Sequence, residues 1–333
     1  MRLIRTQITG LVLIGLMAVL AHTRALAQTP VWKAPSSGYL YDSVTQSIRP
    51  IVGFAGSAYA GQSVVSGVDW ASLAPNRQTA LLVSGGALIA IADLRSPNQV
   101  GNLGQAYTPR QALWSSDSSR AVFLTAGGQL VWLTDIASAP LAEASWDLAP
   151  GRQTRDPLVR WTLLAADSAA DRVLLASGGG RKGQLWWASK TVSPVSIDLA
   201  GDPVAAVFAS GSAAFVADAA GHRILEIQNL DGGPTVAPLL SSGEYLADPI
   251  GMALSADGKR LFVADGAGQT IRSFDAGTGA LLGELPFGSN AVSMTCVSPG
   301  RFLLNPPDGT AQPLFFLDTG QPARVFFIPR GAQ

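Results

Sequence analysis

The stretch GMALSADGKRLFVADGAGQTIRSFDAGTGALLGELPFG, residues 251–288, decides the fold. It holds four short apolar or alternating runs, and each run stops at glycine, Asp-Gly or proline, as β-strands and their turns do. The same phrase returns along the chain, with an apolar residue at the equivalent place on each second strand. These residues are Leu82, Phe123, Leu174, Phe215, Phe262 and Phe302, at intervals of 40 to 51 residues. A four-stranded unit at this period predicts an all-β protein, a β-propeller of four-stranded blades.

The number of blades depends on residues 38–53, GYLYDSVTQSIRPIVG, which lie before the six complete units. They are typical of third and fourth strands that lack a preceding pair, and Val31-Trp32 could add one strand more. If this incomplete N-terminal blade holds its own place, the ring has seven positions. If it only pads the last blade, the ring has six. In both cases we expect residues 28–333 to form a single propeller domain, because a closed ring leaves no exposed sheet edge.

The first 27 residues have the three parts of a secretory signal peptide. Arg2 and Arg5 form a basic start, an apolar run of 14 residues follows from Ile8 to Ala21, and Ala25-Leu26-Ala27 offers a small-x-small cleavage site. An uncleaved membrane anchor is the alternative, but the run is shorter than the roughly 20 residues that a spanning helix needs. We therefore expect cleavage after Ala27, a periplasmic or extracellular location, and no membrane span in the mature chain.

Composition limits the classes of partner. Hydrophobic residues make up 47% of the chain and charged residues 14%, which is typical of a folded protein with a large buried area. Without the signal peptide the chain has 20 basic and 23 acidic residues, a formal charge of −3, so nothing in its net charge favours nucleic acid. Cys296 is the only cysteine, which excludes an internal disulfide.

Three segments resemble known propeller repeats. VADAAGHRILEIQ (216–228) is similar to an NHL repeat, although Gly221 stands where asparagine is usual, and SADGKRLFVAD (255–265) and LPFGSNAVSMTCVSPGRFLL (285–304) resemble the related YVTN repeat. The likeness covers units four to six well and units one to three in outline. It implies a propeller, and it implies little about activity because such folds carry many unrelated functions.

The usual catalytic patterns are weak in this chain. His222 is the only histidine after the signal peptide and sits in a turn, and no Gly-x-Ser-x-Gly elbow is present. Gly178 to Gly183 fits the dinucleotide pattern Gly-x-Gly-x-x-Gly, but a strand, QLWWAS, follows where that motif needs a helix. One histidine and one cysteine do not make a usual zinc site. We therefore expect no cofactor, no metal and no catalytic residue.

Some propellers are metal-dependent lactonases or related hydrolases, which hold a divalent cation with oxygen ligands at the mouth of the central channel. The mouth positions of this chain are the first residues of the first strands: Asp69, Arg110, Arg160, Val204, Ile250 and Ser293. One is acidic and two are cations, which departs from the hydrolase pattern. A hydrolase of this kind is kept as the alternative function. A quinone-binding propeller ranks lower still, since no repeated tryptophan motif of that sort occurs.

A basic rim on the mouth face is the candidate binding site. It comprises Arg110, Arg160, Arg181 and Lys182, with Trp70 and Trp161 as apolar contacts and Asp69 beside them. A lengthened segment, residues 139–160, precedes Arg160, and extended loops on a rigid scaffold often carry function. The plainer alternatives are a scattered solvated surface for the charges and core packing for the two tryptophans. The function expected is a binding or scaffold module for an unknown protein, polymer or small anionic ligand.

Overall fold

Short runs of β-branched, leucine and aromatic residues form the strands, and turns rich in glycine and aspartate separate them. The computed structural model describes residues 36–53, 57–97, 99–105, 107–148, 160–178, 183–241, 245–287, 293–305 and 313–329. Residues 1–27, and with them the expected signal peptide, lie outside this range, as do Val31-Trp32. Chain contacts place Pro35–Gln333 in one unit.

The strands group into seven four-stranded antiparallel sheets, called blades 1 to 7 in chain order. Blade 1 holds β1 (Ser36–Asp42), β2 (Ser47–Val52), β3 (Tyr59–Ala60) and β4 (Val65–Ser66). Blade 2 holds β5 (Trp70–Leu73), β6 (Ala80–Ser84), β7 (Ala87–Ile91) and β8 (Gln99–Gly104). Blade 3 holds β9 (Pro109–Trp114), β10 (Ala121–Thr125), β11 (Gln129–Thr134) and β12 (Leu141–Asp147). Blade 4 holds β13 (Arg160–Ala166), β14 (Arg172–Gly178), β15 (Gly183–Ser189) and β16 (Val195–Gly201).

The last three blades repeat the pattern. Blade 5 holds β17 (Pro203–Ser210), β18 (Ala213–Asp218), β19 (Arg223–Gln228) and β20 (Thr235–Leu240). Blade 6 holds β21 (Pro249–Leu254), β22 (Arg260–Asp265), β23 (Thr270–Asp275) and β24 (Leu281–Pro286). Blade 7 holds β25 (Thr295–Ser298), β26 (Arg301–Leu303), β27 (Leu314–Asp318) and β28 (Arg324–Ile328). In blades 2 to 7 the strands pair in chain order, as the sequence predicts.

The hydrophobic core lies between the blades. Seven buried clusters occur, one at each seam, and the last joins Leu40 and Ile51 of blade 1 to Leu314 and Phe316 of blade 7. The residues that align the repeats lie in this core: Phe123 and Phe262 are fully buried. The ring is therefore a closed seven-bladed β-propeller, and the prediction of seven positions is confirmed against the alternative of six.

Blade 1 differs in detail from the sequence interpretation. The sequence predicts that residues 38–53 are third and fourth strands, yet β2 is not the last strand of its sheet, because β3 and β4 both pair with it. Each of these pieces has only two residues, and Gly61 lies between them, so neither gives a strand pattern in the sequence. Blade 1 thus has an outer strand in two pieces.

The first strand of blade 1, β1, also runs antiparallel to the inner strand of blade 2, β5. The Tyr41 hydroxyl, near the end of β1, donates to the carbonyl of Asp69 just before β5 begins, at 2.9 Å. The Arg77 guanidinium, in the turn after β5, donates to the carbonyl of Ser37 near the start of β1, at 3.3 Å. β1 and β5 therefore lie side by side in opposite directions, which identifies blade 1 as the irregular unit of the ring.

Candidate functional site

The two faces of the ring are set by the direction of the inner strands. In blades 2 to 7 the first strand of each sheet begins on one side, here called the mouth face, where the hairpin between second and third strands also turns. The turns between first and second strands, such as 167–171 of blade 4 and 255–259 of blade 6, lie on the opposite face. Side chains at the starts of first strands therefore surround the channel mouth.

Arg110 and Arg160 occupy this mouth on adjacent blades. Arg110 follows the first residue of β9, Arg160 begins β13, and these two inner strands contact each other. Both side chains are exposed, and within the described ranges neither forms an ion pair. The backbone N–H of Leu163 donates to Oε1 of Gln111 at 3.0 Å, which fixes the two strands relative to each other. The arrangement supplies two unpaired cations on a fixed scaffold.

Trp70 lies at the start of β5 and contacts the backbone of Arg110 on the adjacent blade. Its indole Nε1 donates to the backbone carbonyl of Arg110 at 3.2 Å, and its ring packs against the cluster between blades 2 and 3. The side chain is half-buried, so part of it faces solvent. Trp70 therefore packs between blades and also contacts the backbone of the mouth arginine.

Trp161 and Arg160 point to different sides of β13. Successive residues of a strand alternate between its two faces, and Trp161 packs in the seam between blades 3 and 4, with its ring 5.4 Å from that of Trp186. The indole of Trp186 in turn donates to the Ser177 hydroxyl at 2.9 Å. Arg160 instead lines a cleft on the side of blade 5. The two residues proposed together from the sequence thus face different blades.

The other residues of the proposed rim have separate surroundings. Asp69 is exposed, and its backbone N–H donates to the carbonyl of Val83 at 2.8 Å, which fixes the approach to β5. Arg181 and Lys182 lie outside the described residues. They belong to the segment between β14 and β15, whose ends meet where Gly178 pairs with Gly183. This pairing confirms that the glycine-rich segment connects two strands and does not lead into a helix.

A cleft of about 260 Å³ opens between the inner strands of blades 4 and 5. Its polar side chains come from three residues: Arg160, Thr162 and Asp202. Its apolar walls come from Leu164, Ala176, Pro203 and Val204. The cleft brings together one guanidinium, one carboxylate and one hydroxyl group.

Asp202 supplies the carboxylate of this cleft. Its backbone N–H donates to Oδ1 of Asp218 at 2.8 Å, which holds the residue in place. Burial raises the pKa of Asp202, and the nearby Asp218 carboxylate raises that pKa further. Its side chain makes no ion pair with any described residue. Asp202 is thus a half-buried anion with no cation partner among the residues that the structure describes.

Asp218 in blade 5 and Asp265 in blade 6 make equivalent sets of contacts, each of which we call a latch. Neither one was identified from the sequence. Both are almost fully buried at the end of a second strand, and both bind backbone N–H groups of the segment that enters the same blade. Asp218 also pairs with Arg223 at 2.8 Å, and Asp265 with Arg272 at 2.7 Å. The repeated Val-Ala-Asp phrase at 216–218 and 263–265 was the available signal. The latches organise the mouth-face loops of blades 5 and 6.

An ion-pair clamp joins blades 4 and 5 on the opposite face. Arg172 at the start of β14 donates to Asp231 of blade 5 at 2.8 Å and lies 3.4 Å from Asp167 of its own blade. Hydrogen bonding to Asp231 is the largest influence on Arg172 and raises its pKa. The clamp fixes these two blades at the end of the seam away from the cleft.

His222 and Cys296, the only histidine and cysteine after the first 27 residues, were the remaining candidates for chemistry. His222 adopts a left-handed backbone (φ 50°) in the turn before β19. Cys296 lies on the inner strand β25, and its side chain is exposed to solvent. The protein that surrounds this strand nevertheless desolvates the thiol and raises its pKa to about 11. The thiol is therefore protonated at neutral pH and a poor nucleophile.

Within the described ranges no three His, Cys, Asp or Glu side chains are grouped so that they could hold a metal ion. The same part of the chain has no helix with the length and apolar character needed to cross a membrane.

Known structures share this architecture at low sequence identity. A functionally unknown protein from Desulfotomaculum acetoxidans matches with a TM-score of 0.57 at 12% identity, over 88% of this chain and 100% of that one. A putative 6-phosphogluconolactonase from Bacteroides fragilis matches with a TM-score of 0.56 at 12% identity, over 87% and 96%. The Cps50 (Swd1) β-propeller domain from Myceliophteria thermophila matches with a TM-score of 0.51 at 12% identity, over 80% and 92%.

At this identity the likeness concerns the fold alone. No protein-family model matches the sequence, and no curated protein matches it. The class defined by the fold is the seven-bladed β-propeller.

Proposed function

We propose that this protein is an exported, non-catalytic propeller that binds an anionic partner or polymer on its mouth face. The observation that carries the proposal is the pair of exposed arginines, Arg110 and Arg160, which start adjacent inner strands and form no ion pair with any described residue. Guanidinium groups match carboxylates and phosphates in a planar, two-pronged geometry. Arginine is also enriched among the residues that dominate binding energy at interfaces.

The scaffold supports this role because it fixes the backbone that carries both arginines before any ligand arrives. The Gln111–Leu163 hydrogen bond links their strands, and Trp70 binds the carbonyl of Arg110. A site that is already ordered loses less conformational entropy on binding than a flexible one. Arg181 and Lys182 follow Arg160 in the same blade, and we include them in the proposed rim.

The test uses the mature chain and immobilised poly-L-glutamate as the anionic probe. The double change Arg110→Ala plus Arg160→Ala should weaken binding by about 2 kcal/mol, roughly thirtyfold. The matched control is Lys259→Ala plus Arg324→Ala, which removes two exposed cations from the opposite face. Equal loss in both double variants, or loss only in the control, would overturn the assignment.

The metal-dependent hydrolase is the alternative kept from the sequence. The likeness to a putative lactonase is at 12% identity and carries no activity to this chain. The binding proposal predicts no turnover of lactones with added calcium. Calcium-stimulated turnover that a chelator abolishes would favour the hydrolase instead.

A further inference from the structure

The cleft between blades 4 and 5 contains two opposite charges that do not pair with each other. Arg160 and Asp202 line the same cleft, and neither forms an ion pair with a described residue. We propose that this cleft binds a small zwitterion of the α-amino acid type, with the ligand carboxylate on Arg160 and its ammonium group on Asp202. This site is distinct from the docking of a large anion, although Arg160 belongs to both.

Asp202 is suited to an ammonium group because no cation of the described ranges compensates its charge. The backbone of Asp202 is fixed by Asp218, while its own carboxylate is half-buried in the cleft. The nearest arginine of that blade, Arg223, is engaged by Asp218 at 2.8 Å. A half-buried anion without a cation is costly, and a ligand ammonium would supply both a positive charge and three N–H donors.

Arg160 is suited to the carboxylate end of the same ligand. Its side chain is exposed at the rim of the cleft, so a ligand can reach it from solvent. The guanidinium can donate two parallel hydrogen bonds to one carboxylate, which fixes the ligand's orientation as well as its charge. Because the cleft carries both a cation and an anion, a zwitterion can pair with both. A simple anion or a simple amine can pair with only one of them.

The rest of the lining restricts the ligand to a small one. The Ser177 hydroxyl accepts the indole N–H of Trp186 at 2.9 Å on the side of blade 3, so the hydroxyl available to the ligand is that of Thr162. The volume of about 260 Å³ and the short apolar walls suit a compact side chain. Small amino acids with a hydroxyl or methyl group fit this description better than aromatic ones.

Gly183 keeps the carboxylate side of the cleft open. A Cβ atom at this position would lie 2.8 Å from Oδ1 of Asp202 and 2.8 Å from Cδ of Pro203. Such contacts are too short for real side chains, so Gly183→Ala would displace the Asp202 carboxylate. Glycine at this position is therefore part of the site, and its replacement gives an independent test.

The experiment is calorimetric titration of the mature chain with L-serine and L-alanine. N-acetyl-L-serine, which lacks the cation, and L-serinamide, which lacks the anion, are the matched probes. We expect millimolar or tighter binding of the two zwitterions, and at least about tenfold weaker binding of both blocked forms. This comparison needs no variant, so it decides the matter even where a substitution disturbs folding.

Variants then locate the site. Asp202→Asn, Arg160→Gln and Gly183→Ala should each weaken L-serine binding at least about tenfold, while Lys259→Gln on the opposite face should leave it unchanged. The proposal is overturned by the absence of heat at about 10 mM of both zwitterions, by equal binding of the blocked forms, or by unchanged affinity in Asp202→Asn. If poly-L-glutamate still requires Arg110 and Arg160 in that case, the zwitterion site fails and the proposed docking function stands.

Discussion

The indole nitrogen of Trp70 donates a hydrogen bond to the backbone carbonyl of Arg110 across 3.2 Å. The tryptophan of one blade therefore fixes the backbone that carries the mouth arginine of the next. In the proposed binding site we therefore expect Trp70 to act indirectly, through the position of Arg110, in addition to any contact that its half-buried ring makes with a partner.

Trp70→Phe should separate these two contributions. Phenylalanine keeps much of the ring packing and removes the N–H, so we expect a loss of unfolding free energy of about 1 kcal/mol, the usual net value of one hydrogen bond. Poly-L-glutamate affinity should fall less than in Arg110→Ala. Chemical denaturation and the binding assay measure the two effects. Affinity that falls further than in Arg110→Ala would instead make Trp70 a direct contact.

Gln111→Ala should loosen the link between blades 3 and 4. The change leaves the Leu163 N–H without its side-chain acceptor, so we expect a loss of about 1 to 2 kcal/mol in unfolding free energy. Gln111→Glu keeps an acceptor at that place and is the matched control. Hydrogen exchange at Leu163 is the local readout: it should accelerate in the alanine variant and stay slow in the glutamate variant. Identical exchange in both variants would contradict the assigned role.

Asp265→Asn should change how stability depends on pH. Burial alone would raise the pKa of Asp265, but hydrogen bonds from Ala247, Asp248 and Gly268 together with the Arg272 guanidinium outweigh it and hold the pKa below its usual range. A depressed carboxyl pKa contributes stability that is present above the unfolded pKa, about 3.9, and is lost as pH falls through the folded value.

The side chain of the Asp265→Asn variant cannot ionise, so the variant should be less stable than wild type by roughly 3 kcal/mol at neutral pH. This value is the lower end of the usual cost of breaking a buried ion pair. The difference should shrink as the pH falls below the unfolded pKa, about 3.9, and through the lower pKa of the folded state, because wild type then loses the same interaction. Urea unfolding at stepped pH measures both curves. Curves that stay parallel across this range would contradict the latch.

The N-terminal segment predicts export with cleavage after Ala27. The mature protein recovered from the envelope or medium should begin at Gln28, as N-terminal sequencing would show. Ala27→Asp should block cleavage, since the processing enzyme requires a small residue at that place, whereas Ala27→Ser should still be processed. A product that begins at Met1 in the cytoplasm would contradict the proposed location.

The architecture was readable from the sequence because the repeats are regular where packing is strongest. Phe123 and Phe262 mark second strands whose burial between blades allows little variation. Blade 1 was harder: its outer strand is split into two-residue pieces around Gly61, which leaves no run long enough to carry a period.

The candidate site was only partly readable. Arg110 and Arg160 were found because they start predicted strands. Trp161 is separated from Arg160 because the two side chains lie on opposite faces of β13. The sequence at the start of this strand has no clear alternation of polar and apolar residues from which those faces could be assigned. Asp202 was missed because a single aspartate before Pro203 is typical of an ordinary turn. Within the described part of the chain Asp202 has no ion-pair partner, because Arg223 pairs with Asp218, a contact that sequence spacing does not reveal.

The Arg172–Asp231 clamp has a consequence for selectivity. It ties blades 4 and 5 at the far end of their shared seam, whereas the contacts of Asp218 lie within blade 5 and the segment that enters it. The gap between the two blades is thus bridged at one end, and we expect the clamp to limit how far it can widen. Molecules would then be sorted by their dimensions rather than accommodated by movement of the walls, and raising the ionic strength, which weakens the exposed part of the clamp, should relax that sorting.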